Sequence, residues 1–155
     1  YKWTKNKLTK QIKFMISNKH PFTFSYYSQI DECGKFLKNI NNLSSQVTYY
    51  SLLKLNEVGC LTAIYDTQFF GKVYMENIAN RQDYALWLKL LKKAKYAYCC
   101  EEILAKYRLR QNSISSKKIR LVKYHWEIYR NIEKQSFVLS IYFLASYLFN
   151  KIFNK

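Results

Sequence analysis

Scarcity of glycine constrains this chain more than any other feature. Its 155 residues hold three glycines, Gly34, Gly59 and Gly71, and contain neither a GxGxxG nor a GxxxxGK[ST] run. The turns that cradle a dinucleotide pyrophosphate or a nucleoside triphosphate need glycine at fixed spacings, so a complete dinucleotide-binding or P-loop domain is excluded. Hydrophobic residues make up 49% of the chain, enough for one compact domain with a real core and too many for a disordered segment.

Periodicity divides the chain into short elements. Residues 3–17 predict a basic helix with Leu8, Ile12, Met15 and Ile16 on one side, stopped by Asn18 and Pro21. FTFSYYSQI, residues 22–30, is aromatic and hydroxyl-rich and predicts a strand, and DECGK is a turn into KFLKN, so the two form a hairpin. VTYYSLLKLNEVG predicts a strand end and a short helix closed by Gly59, and CLTAIYD a buried strand of Leu61, Ala63, Ile64 and Tyr65. Over residues 83–94, Tyr84, Trp87, Leu88 and Leu91 form an apolar helical stripe, with Lys89, Lys92 and Lys93 on the wet face. KYAYCCEEILAKYRL predicts two short strands around Glu101 and Glu102, and Leu121, Tyr124, Ile128 and Ile132 recur at helical spacing. The order helix, strand, strand, helix, strand, helix, strand, strand, helix indicates a mixed α/β domain.

Charge and cysteine usage narrow the chemistry. Twenty-six Lys and Arg against 10 Asp and Glu give a net charge of +16, which suits phosphates, nucleic acid or an anionic membrane. The lysines are scattered, and no RNP, KH, zinc-finger or helix-turn-helix pattern is present, so nucleic acid is not the expected partner. Cys33, Cys60, Cys99 and Cys100 form no CxxC and have only His20 and His125 beside them, so free thiols in a reducing compartment are expected rather than a zinc or iron–sulfur site. No DxD occurs, and the adjacent Glu101 and Glu102 would point to opposite sides of a strand, so metal-assisted phosphate chemistry would need ligands from outside this chain. The segment YKWTKNKLTKQ has charge without a following apolar run, so no signal peptide is expected, and without an initiator Met the chain reads as a piece of something longer.

One carboxylate stands out. Asp83 opens the aromatic helix RQDYALWLKLL, where it is either a helix N-cap or a general base, and YRLRQNSIS places Arg108, Arg110, Ser113 and Ser115 together as an anion clamp or a solvated basic edge. Trp87 packs the helix or stacks on a ligand, and Thr62 is a core hydroxyl or a ligand contact. Residues 136–149, SFVLSIYFLASYLF, span about 21 Å as a helix, short of the roughly 30 Å hydrocarbon core, so the segment fits a membrane surface with Lys134, Lys151 and Lys155 beside it, or a protein partner.

Five motifs in order carry a resemblance: Trp3 followed by KLTKQIKFM, the hairpin FTFSYYSQIDECGK, then LNEVGCLTAIYD, RQDYALWLKLL and YRLRQNSIS. From about Lys7 to Ser116 the chain resembles the acceptor-side, C-terminal part of a family 2 glycosyltransferase of the GT-A fold, close to bacterial enzymes that decorate surface polysaccharide or lipopolysaccharide. The resemblance implies an incomplete GT-A-like domain over residues 1–116, a mixed sheet with flanking helices, and an amphipathic or apolar helical tail over 117–155. It implies Asp83 as the base of an inverting sugar transfer, Arg108, Arg110, Ser113 and Ser115 near the donor diphosphate, and Thr62 and Trp87 at the acceptor. Gln82 stands where the family usually has Glu, which removes a second carboxylate, and Gln111 stands where it often has His, which removes a metal ligand. The nucleotide-binding half and its divalent ion, Mn²⁺ or Mg²⁺, would belong to the intact parent or to a separate chain. The isolated chain is then expected to be inactive, with a nucleotide-sugar and a glycan acceptor as the parent's partners. Its place would be the cytoplasm, peripheral on the inner face of the plasma membrane. The alternatives are a noncatalytic remnant or scaffold and, behind it, a basic nucleic-acid-binding module.

Overall fold

The computed structural model describes residues 2–109 and 118–153, the side chains of 118–120 excepted. Two long strands, β2 (Phe22–Ile30) and β6 (Tyr96–Arg108), lie side by side in parallel with Thr23 opposite Tyr98 and Ile30 opposite Arg108. Each outer edge of this pair is shared by two short antiparallel strands. On β2 these are β3 (Phe36–Ile40), completing the expected hairpin, and β5 (Ile64–Tyr65); on β6 they are β1 (Lys2–Trp3) and β4 (Gln46–Thr48). The result is a six-stranded mixed sheet with flanking helices.

The alternation of FTFSYYSQI explains the two layers. Phe22, Phe24 and Tyr26 join the aromatic core, where α4 (Gln82–Ala94) buries Tyr84, Trp87, Leu88 and Leu91 as the stripe predicts. Thr23 and Ser25 are also fully buried. Against Thr23 packs α1 (Lys7–Asn18), whose Gln11 Nε2 donates to Thr23 Oγ1 at 3.1 Å.

Here the sequence reading needs correction. Helix α1 turns Lys7, Gln11 and Met15 inward and leaves Leu8, Ile12 and Ile16 exposed. The hydroxyl at Thr23 takes a polar partner, and the start of the chain is already committed: Trp3 sits in β1 and the Thr4 amide donates to the Leu104 carbonyl at 3.0 Å, so the helix begins later than residue 3. Lys7 has no solvent exposure; its amine donates to Gln11 Oε1 at 2.6 Å, and burial lowers it to about 8.

Three further differences concern strands and ends. Residues 96–108 form one strand instead of two. Ser25 pairs with Cys100 and Tyr26 with Ile103, so Glu101 and Glu102 form a bulge in which both are exposed, not a regular stretch that sends them to opposite faces. The expected strand over residues 61–65 shrinks to β5, because Thr62 is held in a turn by its amide and its hydroxyl, each donating to the Gly59 carbonyl at 2.8 Å. Helix α2 (Tyr49–Lys54) ends at Leu55 rather than at Gly59. A short helix, α3 (Thr67–Phe70), is capped by Asp66, whose carboxylate accepts from the Gln68 amide at 2.8 Å.

The C-terminal helices close the core over α2. Helix α5 (Lys118–Glu127) runs into a π-helical turn (Ile128–Ile132), and α6 (Phe137–Phe153) follows. The end of α2 presents carbonyls without partners in their own helix, and two buried phenols supply them: Tyr84 donates to Leu52 O at 3.2 Å and Tyr129 to Leu53 O at 2.7 Å. Because the Tyr129 proton is committed, Nδ1–H of His125 donates to the phenol oxygen at 3.2 Å, which leaves the buried Nε2 an unpaired acceptor. The Tyr147 ring stacks on this imidazole at 3.9 Å. A separate knot ties α2 to α4. The Glu133 carboxylate, nearly out of solvent, pairs with Lys92 at 2.6 Å and accepts from Tyr49 at 2.5 Å.

Burial, with Arg81 and Lys151 adding to it, lowers His125 from 6.5 to about 3. The unfolded state therefore binds the extra proton between these values, and stability falls as pH drops through that window. Relative to His125→Phe, the wild type should lose about 2 kcal/mol more between pH 7 and pH 5, read from urea midpoints at each pH. Tyr129→Phe should cost about 1–3 kcal/mol at pH 7, since the buried Leu53 carbonyl loses its donor; an unchanged midpoint would remove this bond from the account.

Candidate functional site

The turn at residues 59–62 and the start of α4 form the site. The turn is clamped from one side by the N-terminal segment. The Trp3 indole N–H donates to Leu61 O at 2.9 Å, and Gln11 Nε2 and Lys7 Nζ donate to Thr62 O at 2.9 and 3.4 Å. The Lys7 ammonium also lies 4.9 Å from the centre of the Trp3 ring. These residues fix a turn that has little regular hydrogen bonding of its own.

Asp83 lies in the first turn of α4, half-buried, and its carboxylate is felt by Cys60 of the 59–62 turn. It is not the N-cap. Arg81 holds that position in a left-handed conformation, φ 65°, and the Asp83 carboxylate accepts from the neighbouring Tyr84 amide at 2.9 Å. Desolvation, and after it the Asp83 carboxylate, raise the Cys60 thiol, which places the two groups in one electrostatic environment. Among the described residues no lysine or arginine forms an ion pair with Asp83, whereas Glu76, Glu102 and Glu133 each have a lysine. A charged, half-buried carboxylate held by its own helix can take a proton from a hydroxyl placed against it.

The other predicted residues separate into three groups. Arg108 is at the end of β6, where its guanidinium donates to the carbonyls of Asp31, at 3.3 Å, and Glu32 and so braces the β2–β3 turn. Trp87 is 4% exposed and packs against Phe22 with ring centres 5.4 Å apart, and its Nε1 is buried without a partner; Thr62 is fully buried, its hydroxyl spent on Gly59. Both are therefore buried rather than presented at the surface. Arg110, Ser113 and Ser115 lie outside the described residues. Sequence reasoning missed the Trp3, Lys7 and Gln11 clamp, although the i, i+4 spacing of Lys7 and Gln11 marks them as neighbours on a helix. It also missed the His125–Tyr129 pair at the same spacing. Among the described residues no group of three or more His, Cys, Asp or Glu side chains is gathered to hold a metal ion.

No protein-family model matches the chain. Curated proteins do. TuaG of Bacillus subtilis (strain 168), assigned by name to teichuronic acid biosynthesis as a glycosyltransferase, is 40% identical over 151 residues, 97% of this chain and 60% of that protein. WfgD of Escherichia coli, named a UDP-Glc:alpha-D-GlcNAc-diphosphoundecaprenol beta-1,3-glucosyltransferase, is 33% identical over 94% of the chain and 56% of its own length. An uncharacterized glycosyltransferase of Haemophilus influenzae is 29% identical over 94% of the chain and 58% of its own length. The chain thus spans somewhat over half the length of these relatives, and along nearly all of that span it is a homologue of the bacterial surface-polysaccharide glycosyltransferases that its motifs resemble.

Proposed function

We propose that the chain supplies the acceptor side of an inverting, family 2 glycosyltransferase of the GT-A fold that moves a sugar from a nucleotide-diphospho-sugar to a hydroxyl of a surface-glycan acceptor. The observation that carries this reading is the placement of Asp83: a carboxylate at a helix start, felt by Cys60 of a clamped turn and without a lysine or arginine partner among the described residues, in a chain homologous to glycosyltransferases.

In the reaction the acceptor oxygen forms a bond to the anomeric carbon as the bond from that carbon to the diphosphate breaks. The hydroxyl proton goes to Asp83 and the nucleoside diphosphate leaves. The acid asked of the chain is one base, and no protein nucleophile is needed for inversion by direct displacement. Arg108 supports the hairpin at the end of β6, and we assign it, with Arg110, Ser113 and Ser115, to the edge that meets the donor diphosphate. Thr62 and Trp87 are assigned to the acceptor side, the first through the turn it closes onto Gly59 and the second through α4, which it packs against Phe22. A divalent ion, Mn²⁺ or Mg²⁺, belongs to the same reading. The described residues offer it no ligand set, so its ligands would lie elsewhere and no step here depends on it. The name of WfgD describes an acceptor sugar on diphosphoundecaprenol. A lipid-linked acceptor of that kind would place this protein on the inner face of the plasma membrane, and a missing half would be part of the same polypeptide or a separate subunit.

In the full-length protein, Asp83→Asn should lower turnover by about 10²- to 10⁴-fold and leave donor affinity near wild type. Turnover and donor binding are measured together on a variant whose thermal unfolding matches the parent. Wild-type turnover would take Asp83 out of the mechanism, and equal losses of donor binding and turnover would move it to the donor side.

A further inference from the structure

Helix α6 is apolar on both of its sides. The side it turns to the protein includes Ser140, Phe143 and Tyr147, with Lys151 donating to the Tyr147 hydroxyl at 3.2 Å. Its outer side is apolar: Val138, Ile141, Tyr142, Phe149, Ile152 and Phe153 recur at helical spacing and are 48–74% exposed. A soluble surface helix has a polar outer side, so the apolar outer side of α6 is built to be covered. At 17 residues, about 25 Å, the helix is too short to cross a bilayer of roughly 30 Å, and among the described residues no helix is long and apolar enough to do so.

We infer that the outer face of α6 lies in the plane of an anionic lipid surface, with its apolar side chains among the acyl chains nearest the headgroups. Charge selects this occupant. From residue 134 to the end there is no acid, and Lys134, Lys151 and Lys155 are the charged groups. Glu133, the acid just before the segment, is buried in its pair with Lys92. Lys54 of α2 reaches over the Tyr142 ring, 5.5 Å from its centre, so the face is edged by cations that can meet phosphate headgroups while the aromatic rings sit at the interface. The inference deepens the transferase reading, on which it rests for its purpose: a surface-bound enzyme meets a lipid-linked acceptor in two dimensions. Its test needs no turnover.

The full-length protein is mixed with vesicles of phosphatidylcholine containing phosphatidylglycerol, and with phosphatidylcholine alone, and bound protein is measured by sedimentation. Wild type should bind the anionic vesicles and bind the neutral ones more weakly. The double substitution Ile141→Asp with Phe149→Asp should weaken binding at least tenfold. Ile16→Asp, on the exposed apolar stripe of α1, should leave it unchanged. The milder pair Val138→Ser with Ile152→Ser repeats the measurement if the aspartates disturb folding, as judged by thermal melts. Vesicle binding by the double variant equal to wild type overturns the inference. So does a wild type that ignores vesicles but forms an oligomer that the double variant dissolves, since the face then meets protein. Asp83→Asn should still bind vesicles, so the loss of sugar transfer and the loss of docking are read separately.

Discussion

The parallel pairing of β2 with β6 is the constraint on which the other elements depend. Parallel neighbours cannot be joined by a tight turn, so the chain between Ile30 and Tyr96 needs a long crossover to return on the same heading, and along it the chain adds β3, β4 and β5 to the edges of the pair. That crossover contains the turn at residues 59–62 and the whole of α4. The length that the topology demands is thus also the length in which the candidate site is built. The pair has two unlike faces because β2 alternates aromatic and hydroxyl side chains. The aromatic face takes α4 and the core, and the hydroxyl at Thr23 takes Gln11 of α1, which in turn holds the Thr62 carbonyl. A side chain of the sheet therefore positions, through one intervening residue, the turn whose Cys60 feels the Asp83 carboxylate.

Two helices, α1 and α6, expose apolar side chains, but only α1 buries polar ones in exchange. In α1 the inward polar groups are needed: Lys7 and Gln11 donate to the Thr62 carbonyl, which belongs to a turn and not to a strand ladder. A buried polar group keeps its cost low only when its partner is present, so an apolar residue at position 11 would strand both Thr23 and the turn. In α6 the inward face needs little polarity, and Ser140 satisfies itself on the Ser136 carbonyl at 2.9 Å. The outward face of α6 is longer and more continuous than the stripe of Leu8, Ile12 and Ile16 on α1, and that continuity is what distinguishes it, since the sequence around α1 holds no acid before Asp31 either.

Much of the fold is legible in the sequence, and the reason is local agreement. The β2–β3 hairpin has both alternation and a turn at DECGK, and α4 has an apolar stripe bounded by lysines, so pattern and packing ask for the same structure. The failures arise where a distant partner decides. Nothing within residues 3–17 shows that Trp3 will pair with β6, or that the sheet offers α1 a buried hydroxyl. The bulge at Glu101 and Glu102 exists only against β2, and a single strand cannot display it. For the site, a carboxylate at a helix start suggested Asp83 as either cap or base, and the backbone of Arg81 decides against the cap. Trp87 and Thr62 each have a packing reading and a ligand reading in the sequence; the structure shows the packing, Trp87 against Phe22 as its helical stripe predicts and Thr62 on Gly59 in a turn that the expected strand does not foresee.

The ten acids of the chain are spent in a way that bears on its function. Asp31 accepts from the Lys35 amide at 2.8 Å and closes the hairpin turn, Glu57 accepts from the Ser44 amide at 3.0 Å, and Asp66 caps α3. Glu76, Glu102 and Glu133 each neutralise a lysine. All ten acids together offset only ten of the 26 basic residues, so the folded surface carries a net charge of +16. A surface of that sign attracts a diphosphate and an anionic bilayer by the same long-range field, and repels neither as salt rises to a physiological screening length of about 8 Å; it only shortens the distance over which they are drawn in. Asp83 has its one described hydrogen bond inside its own helix turn, which leaves its carboxylate oxygens with further acceptor capacity.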